Sequence, residues 1–211
     1  MSPEDEARIG LRERKKRETR AALSLATIRL CVQRGWDNVT VEDIAAAADV
    51  SVRTFRNYFS SKAEAIAASH LERMLRIADA LRAQPDTEPL WESVARAVEA
   101  QFVPQGAGGA GAFGDPRWAE GVRLMLAEPA LQGEVVKASA AAEAQLAGAI
   151  AERTGTDAVR DVYPKLVAAV IGAGSAMAVE HCLRADPPVA LGPVLREVFE
   201  RVAAGLPIPQ Q

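Results

Sequence analysis

A chain of 211 residues, 49% hydrophobic and 25% charged, has the size and balance of a water-soluble protein of one or two domains. Aromatics make up only 5% and Ala, Leu and Val carry the apolar content, which favours helices over alternating strands. The first twenty residues are polar and the least polar segment, Leu166 to Val179, is 14 residues long; a secretory leader and a bilayer span of roughly 20 residues are therefore not expected, and the expectation is a cytoplasmic all-α protein.

In chain order, residues 1–11 read as a flexible tail and a first helix as running from Arg12 to Arg34, stopped by Gly35. Thr40 caps a short second helix, with Asp43 completing a capping-box pattern. After a tight turn at Ala48-Asp49-Val50-Ser51, Ser51 caps a third helix, Val52 to Phe59; Ser61 and Glu64 form a second box that opens a fourth helix ending near Leu81. Further helices are expected over Glu88 to Val103, Arg117 to Ala127, Leu131 to Arg153, Asp157 to Arg184 with a bend near Pro164, and Leu191 to Ala204. That makes about nine. Residues 104–116 contain five glycines and read as a mobile loop, and residues 206–211 as a loose tail.

The net charge of −3 does not by itself suggest a nucleic-acid partner, but its distribution does. From Arg8 to Lys62 twelve Lys/Arg face six Asp/Glu, a local +6, which leaves −9 for the rest of the chain. Such a chain presents a basic end to phosphates. Within that end, two short helices joined by a turn of about four residues have the form of a helix-turn-helix. Asp49 suits the turn because Asp tolerates a left-handed backbone better than most residues.

Phe55 and Phe59 lie four apart and anchor one side of the third helix, leaving Arg53, Thr54, Arg56, Asn57 and Tyr58, with Val52, on its outward and flanking positions. Arg pairs bidentately with guanine and Asn with adenine, whereas hydroxyls suit phosphates. Thr40, Ser51 and Lys62 are candidate phosphate contacts, and Arg17 and Arg20 belong to a basic run that could follow the backbone or enter a minor groove. As structural alternatives, Thr40 and Ser51 are caps and the basic run is a solvated arm.

The segment from Thr40 to Glu64, TVEDIAAAADVSVRTFRNYFSSKAE, preceded by RGWDNVT, closely resembles the DNA-binding part of the tetracycline-repressor-like (TetR) regulators. It departs from the common pattern at Asp49, where Gly is usual, and at Arg56. The resemblance implies a DNA-binding domain at residues 12–65, a helical ligand-binding and dimerisation domain at 66–205, and a homodimer that reads a palindromic operator and responds to a small molecule. It also implies a pocket, for which Trp91, Phe102, Trp118, Leu124, Met125 and Tyr163 are candidates, although ordinary core packing is the better explanation of each taken singly. The GLRERKK opening is similar to that of actinobacterial members with acyl-CoA-type ligand domains, so the expected effector is hydrophobic or amphipathic and acyl-CoA-like.

The last two long helices can supply the dimer. Ile171, Gly172, Ser175 and Val179 on one, with Leu195, Val198, Phe199 and Val202 on the other, are the candidate contacts; ordinary internal packing is the alternative. Cys31 and Cys182 fit no metal spacing and read as buried hydrophobes, so no metal or cofactor is expected. Two histidines, His70 and His181, and the absence of any hydrolase, P-loop or dinucleotide fingerprint make an enzyme the least supported reading. A helical adaptor without DNA binding is disfavoured by the intact Arg53–Lys62 surface.

Overall fold

Capping chemistry divides the first third of the chain as the sequence predicts. The computed structural model describes residues 3–102, 116–186 and 189–207, with the side chains of 3–11, 13, 116 and 118 excepted. Among the described residues there are nine helices and no strand: α1 (Pro3–Arg34), α2 (Val41–Ala47), α3 (Val52–Tyr58), α4 (Lys62–Arg82), α5 (Leu90–Phe102), α6 (Pro116–Leu126), α7 (Pro129–Thr154), α8 (Val162–Arg184) and α9 (Leu191–Ala203). Gly35 ends α1 with φ +83° and its N–H on the Cys31 carbonyl. Thr40 and Asp43 form the reciprocal box at α2. At α4, Ser61 Oγ accepts from the Glu64 N–H, but the Glu64 carboxylate reaches back to the N–H and hydroxyl of Ser60. The box is thus one residue longer than expected.

Two boundaries differ for clear reasons. Residues 3–11, expected as a tail, continue α1: no proline follows Pro3 before Arg34, and the one glycine, Gly10, costs only about 1 kcal/mol. At the other end of the chain, α8 begins at Val162 rather than Asp157, because Asp157 accepts hydrogen bonds from the Val159 and Arg160 N–H groups and makes a separate turn. Pro164 consequently sits in the first turn of α8, where a missing N–H costs nothing, and causes no interior bend. The loop expected at 104–116 lies outside the described residues apart from Pro116, which opens α6; of the expected C-terminal tail, residues 208–211 also lie outside them.

The chain forms two compact units, Met1–Ser69 with Leu124–Val135, and His70–Arg123 with Val136–Gln211. The division falls inside α4, a few residues beyond the expected 65/66 boundary, and it also assigns the α6–α7 junction to the first unit. In that unit, Leu23, Ile44, Phe55 and Phe59 are essentially fully buried, and each contributes roughly 1.5–3 kcal/mol of burial. Core residues of the second unit come from α4 (Met74, Ile77, Leu81), α5 (Val94, Val98), α7 (Leu146, Ile150), α8 (Val167, Ile171) and α9 (Leu195, Phe199).

A single side chain ties the α4–α5 connection to α7. The Arg153 guanidinium donates to the carbonyls of Leu81, Gln84, Pro85 and Glu88 and to Ser93 Oγ, at 2.7 to 3.5 Å. Cationic donors at a helix C-terminus also complement its dipole.

Candidate nucleic-acid interface

The turn between α2 and α3 is built on Asp49. Its φ is +54°, the Val50 N–H donates to the Ala45 carbonyl at 3.0 Å and the Asp49 N–H donates to the Ala46 carbonyl at 3.2 Å. This is the Schellman pattern, with Asp at the position that glycine usually holds. Ser51 then caps α3: its Oγ accepts from the Thr54 N–H at 3.0 Å and shares a hydrogen bond with the Thr54 hydroxyl. Phe55 and Phe59 are 0% and 2% exposed and pack as a tilted pair with centroids 5.8 Å apart. Arg20 lies over the outer side of Phe59, 4.6 Å from its centroid. With one side so fastened, α3 cannot rotate without exposing both rings.

The opposite side is open. Arg53, Arg56 and Asn57 are exposed and, with Val52, border a surface hollow of about 540 Å³. None of the three side chains makes an ion pair or side-chain hydrogen bond among the described residues, although Arg34, a short distance along the chain, is paired with Asp43 at 3.5 Å. Free donors with bidentate geometry on one side of a short, anchored helix are what base-edge reading requires. Tyr58 is half-buried and Arg17 is exposed.

The other expected phosphate contacts are committed within the protein. The Thr40 hydroxyl donates to Asp43 Oδ2 at 2.6 Å while accepting from the Asp43 N–H. Lys62, expected to hold a phosphate, instead donates from Nζ to the carbonyls of Trp36 and Val39 and lies over the Trp36 ring, 4.4 Å from its centroid. It fastens the α1–α2 connector to the start of α4. No role for Trp36 follows from the sequence; a large aromatic residue beside Asp37 and Asn38 in a short connector is the available signal.

The second unit corrects several expectations. Ile171, Ser175, Leu195 and Phe199 are buried within the chain itself, at 0 to 2% exposure; they cannot present a surface to a partner, and ordinary internal packing accounts for them. Gly174 marks the close approach of α8 and α9, since a Cβ there would stand 3.1 Å from Val198 Cγ1, whereas Gly172 faces open space. Gly172, Val179, Val198 and Val202 are partly exposed.

Of the six pocket candidates, Trp91 and Phe102 both pack against the core of the second unit. Trp91 stacks on Phe199, Phe102 lies under Arg73, and Tyr163 is exposed on α8. Leu124 and Met125 belong to the first unit, the former exposed and the latter buried, and the Trp118 side chain lies outside the described residues.

An anchored helix-turn-helix with an unpaired Arg/Arg/Asn face, in a chain that also forms a helical body, defines a DNA-binding transcriptional regulator. Comparisons with known proteins specify the family. Residues 25–68 match the model for bacterial regulatory proteins of the tetR family, and residues 88–207 match the MftR C-terminal domain model. The chain is 33% identical to the HTH-type transcriptional regulator TcmR of Streptomyces glaucescens over 184 residues, 84% of this chain and 79% of that protein. It is 29% identical over 208 residues to a Mycobacterium tuberculosis regulator named for mycofactocin biosynthesis, MftR, covering 95% and 96% of the two chains. Its fold is similar to that of the fatty acid degradation regulator FadR of Bacillus halodurans, at TM-score 0.57, 19% identity, and coverage of 89% and 96%. This protein belongs to the tetR family of bacterial regulatory proteins, as the Thr40–Glu64 resemblance implies.

Proposed function

We propose that this regulator is a homodimeric repressor that seats two copies of α3 in successive major grooves of a palindromic operator and releases or tightens its grip when the body binds a small amphipathic molecule. The observation that carries the reading is the free Arg53/Arg56/Asn57 face set against the buried Phe55–Phe59 pair. A single copy reads only a few base pairs, so two heads about 34–36 Å apart are needed for a specific site. The test is selection of bound fragments from random duplex DNA, followed by titration. The expected product is an inverted repeat whose affinity falls steeply with salt. Arg53→Ala should weaken it by about 1–3 kcal/mol and relax preference at one base of each half-site. Recovery of no inverted repeat overturns the dimeric reading, and unchanged affinity and preference in Arg53→Ala remove Arg53 from base contact.

For the dimer, support comes from α8. It has the length and apolar character of a membrane-crossing helix, yet only 33% of that apolar window is buried inside the chain. Val162, Tyr163, Leu166 and Met177 are 76%, 46%, 57% and 49% exposed and follow one another along the side opposite the core. We read this stripe, together with Gly172, as the face that a second copy covers. Leu166→Glu should shift the monomer–dimer midpoint at least about tenfold in sedimentation velocity, a cost of roughly 1.4 kcal/mol. A wild-type chain that stays monomeric at micromolar concentration overturns it.

A further inference from the structure

The second unit contains an arginine with no acceptor among the described residues. His70, Arg73 and Arg76 follow at three-residue steps on α4 and so leave the helix on neighbouring lines. Arg76 reaches Glu72 at 3.4 Å and Gln101 at 2.9 Å. His70 Nε2 is 3.1 Å from Ser139 Oγ on α7. Arg73 lies over the Phe102 ring, 4.6 Å from its centroid, and makes no hydrogen bond or ion pair among the described residues.

Its situation differs from that of the other arginines on the helices around it. Arg82, Arg96, Arg184, Arg196 and Arg201 each meet a carboxylate, and Arg153 meets backbone carbonyls. Most of those side chains stand well in solvent, where a missing partner would cost little. Arg73 is only partly exposed, so both its hydration and its pairing are incomplete. Burial, then the charge of Arg76, lowers its pKa; burial, then the charge of Arg73, lowers that of His70. Among the described residues no carboxylate acts on either in the opposite sense. The cluster is a positive spot on an aromatic floor, with a hydroxyl and an imidazole at its edge.

A guanidinium held by packing, with its N–H groups unengaged, is suited to a planar or tetrahedral oxyanion through paired charge-assisted hydrogen bonds. A ring beneath it suits the apolar part of the same molecule. We propose that Arg73 receives the acid group, carboxylate or phosphate, of an amphipathic effector, with His70 and Ser139 beside it and Phe102 beneath. The inference rests on the ligand-responsive reading above and gives that effector its chemical class.

The test uses the intact protein and three probes of equal chain length, octanoate, octyl phosphate and octanol, in calorimetric titrations. One or both anions should bind at least about tenfold more tightly than octanol; octanoate alone identifies a carboxylate site, octyl phosphate alone a phosphate site. Loss of a charged hydrogen bond worth roughly 1.5–3 kcal/mol predicts that Arg73→Gln weakens the preferred anion about tenfold to a hundredfold, with Arg73→Lys between. The unliganded Arg73→Gln protein should melt within about 4 °C of wild type, because the charge it removes meets the Phe102 ring and no anion among the described residues; a merely structural arginine would lower the midpoint further. Equal affinity for all three probes, no binding of either anion at millimolar concentration, or undiminished anion binding by Arg73→Gln overturns the proposal. Operator titrations run in parallel keep the two readings apart. Anion binding that depends on Arg73 but leaves operator affinity unchanged retains the site and overturns the ligand-responsive reading.

Discussion

Replacing Lys62 by Gln decides between two roles for the same ammonium group. In the structure it donates to the carbonyls of Trp36 and Val39 and lies over the Trp36 ring. Hydrogen bonds from a charged donor contribute about 1.5–3 kcal/mol each when shielded, and a cation–π contact about 0.5–1 kcal/mol at an exposed site. Lys62 is half-buried, so water replaces part of what is lost, and the expected destabilisation is about 2 kcal/mol. In a unit of this size that lowers the melting midpoint by roughly 8–16 °C. The salt dependence of operator binding, measured well below the melting range, should stay as in wild type. A phosphate contact predicts the reverse: an unchanged midpoint and a log–log salt slope shallower by about 0.9. That pair of results would refute the fastening role.

Three further substitutions test the frame around the site. Asp49→Gly relieves a positive φ at the helix-turn-helix and, after the added freedom of the unfolded chain, should stabilise by about 0.5 kcal/mol in urea unfolding, whereas Asp49→Val should destabilise by about 2 kcal/mol; the opposite order would deny that φ governs this position. Arg153→Ala removes four N–H donors from partly shielded acceptors and should cost about 3 kcal/mol, with Arg153→Lys recovering less than half; amide exchange between Arg82 and Ser93 should quicken, and unchanged protection there would show that the clamp is dispensable. Hydrogen bonds from the Thr40 side chain and backbone, assisted by Arg34, hold the Asp43 carboxyl below its ordinary range. A depressed folded pKa contributes stability that is complete above the ordinary carboxylate range and is lost as pH falls through that range to the folded value, so the stability gap between wild type and Asp43→Asn should narrow on acidification; a gap that widens would contradict the box.

What could be read from the sequence was what is local. Thr40, Ser51 and Gly35 act on backbone groups within a few residues, and each took its predicted place because an N-cap or a C′ glycine needs no tertiary partner. Phe55 and Phe59 were legible for a related reason: two large rings four residues apart, one on a seven-residue helix and one at its C-cap, have no other side to bury. Lys62 and Arg73 were not legible. A lysine at the start of a helix looks the same whether it meets a phosphate or two carbonyls 23 and 26 residues upstream. An arginine between Leu71 and Met74 looks the same whether or not a glutamate faces it, and that depends on how α5 and α7 pack against α4.

On α8 the apolar pattern is ambiguous for a more general reason. Periodicity identifies an apolar side when the rest of the helix is polar, but α8 is apolar nearly all round. Its core side runs through Val167, Ala168, Ile171, Ser175, Ala178 and Cys182, and a second side runs through Val162, Leu166 and Met177. Small residues at 168–176 suggested close helix approach, and close approach does occur, at Gly174 against Val198 and Phe199 of the same chain. With α9 packed against Gly174, the apolar surface left uncovered on α8 runs from Val162, in the first turn of the helix, through Leu166 to Met177. Four of the eight candidates, Ile171, Ser175, Leu195 and Phe199, therefore fall on the internal seam, and in the dimer proposed above a second copy would meet the larger side chains that the chain's own packing leaves uncovered.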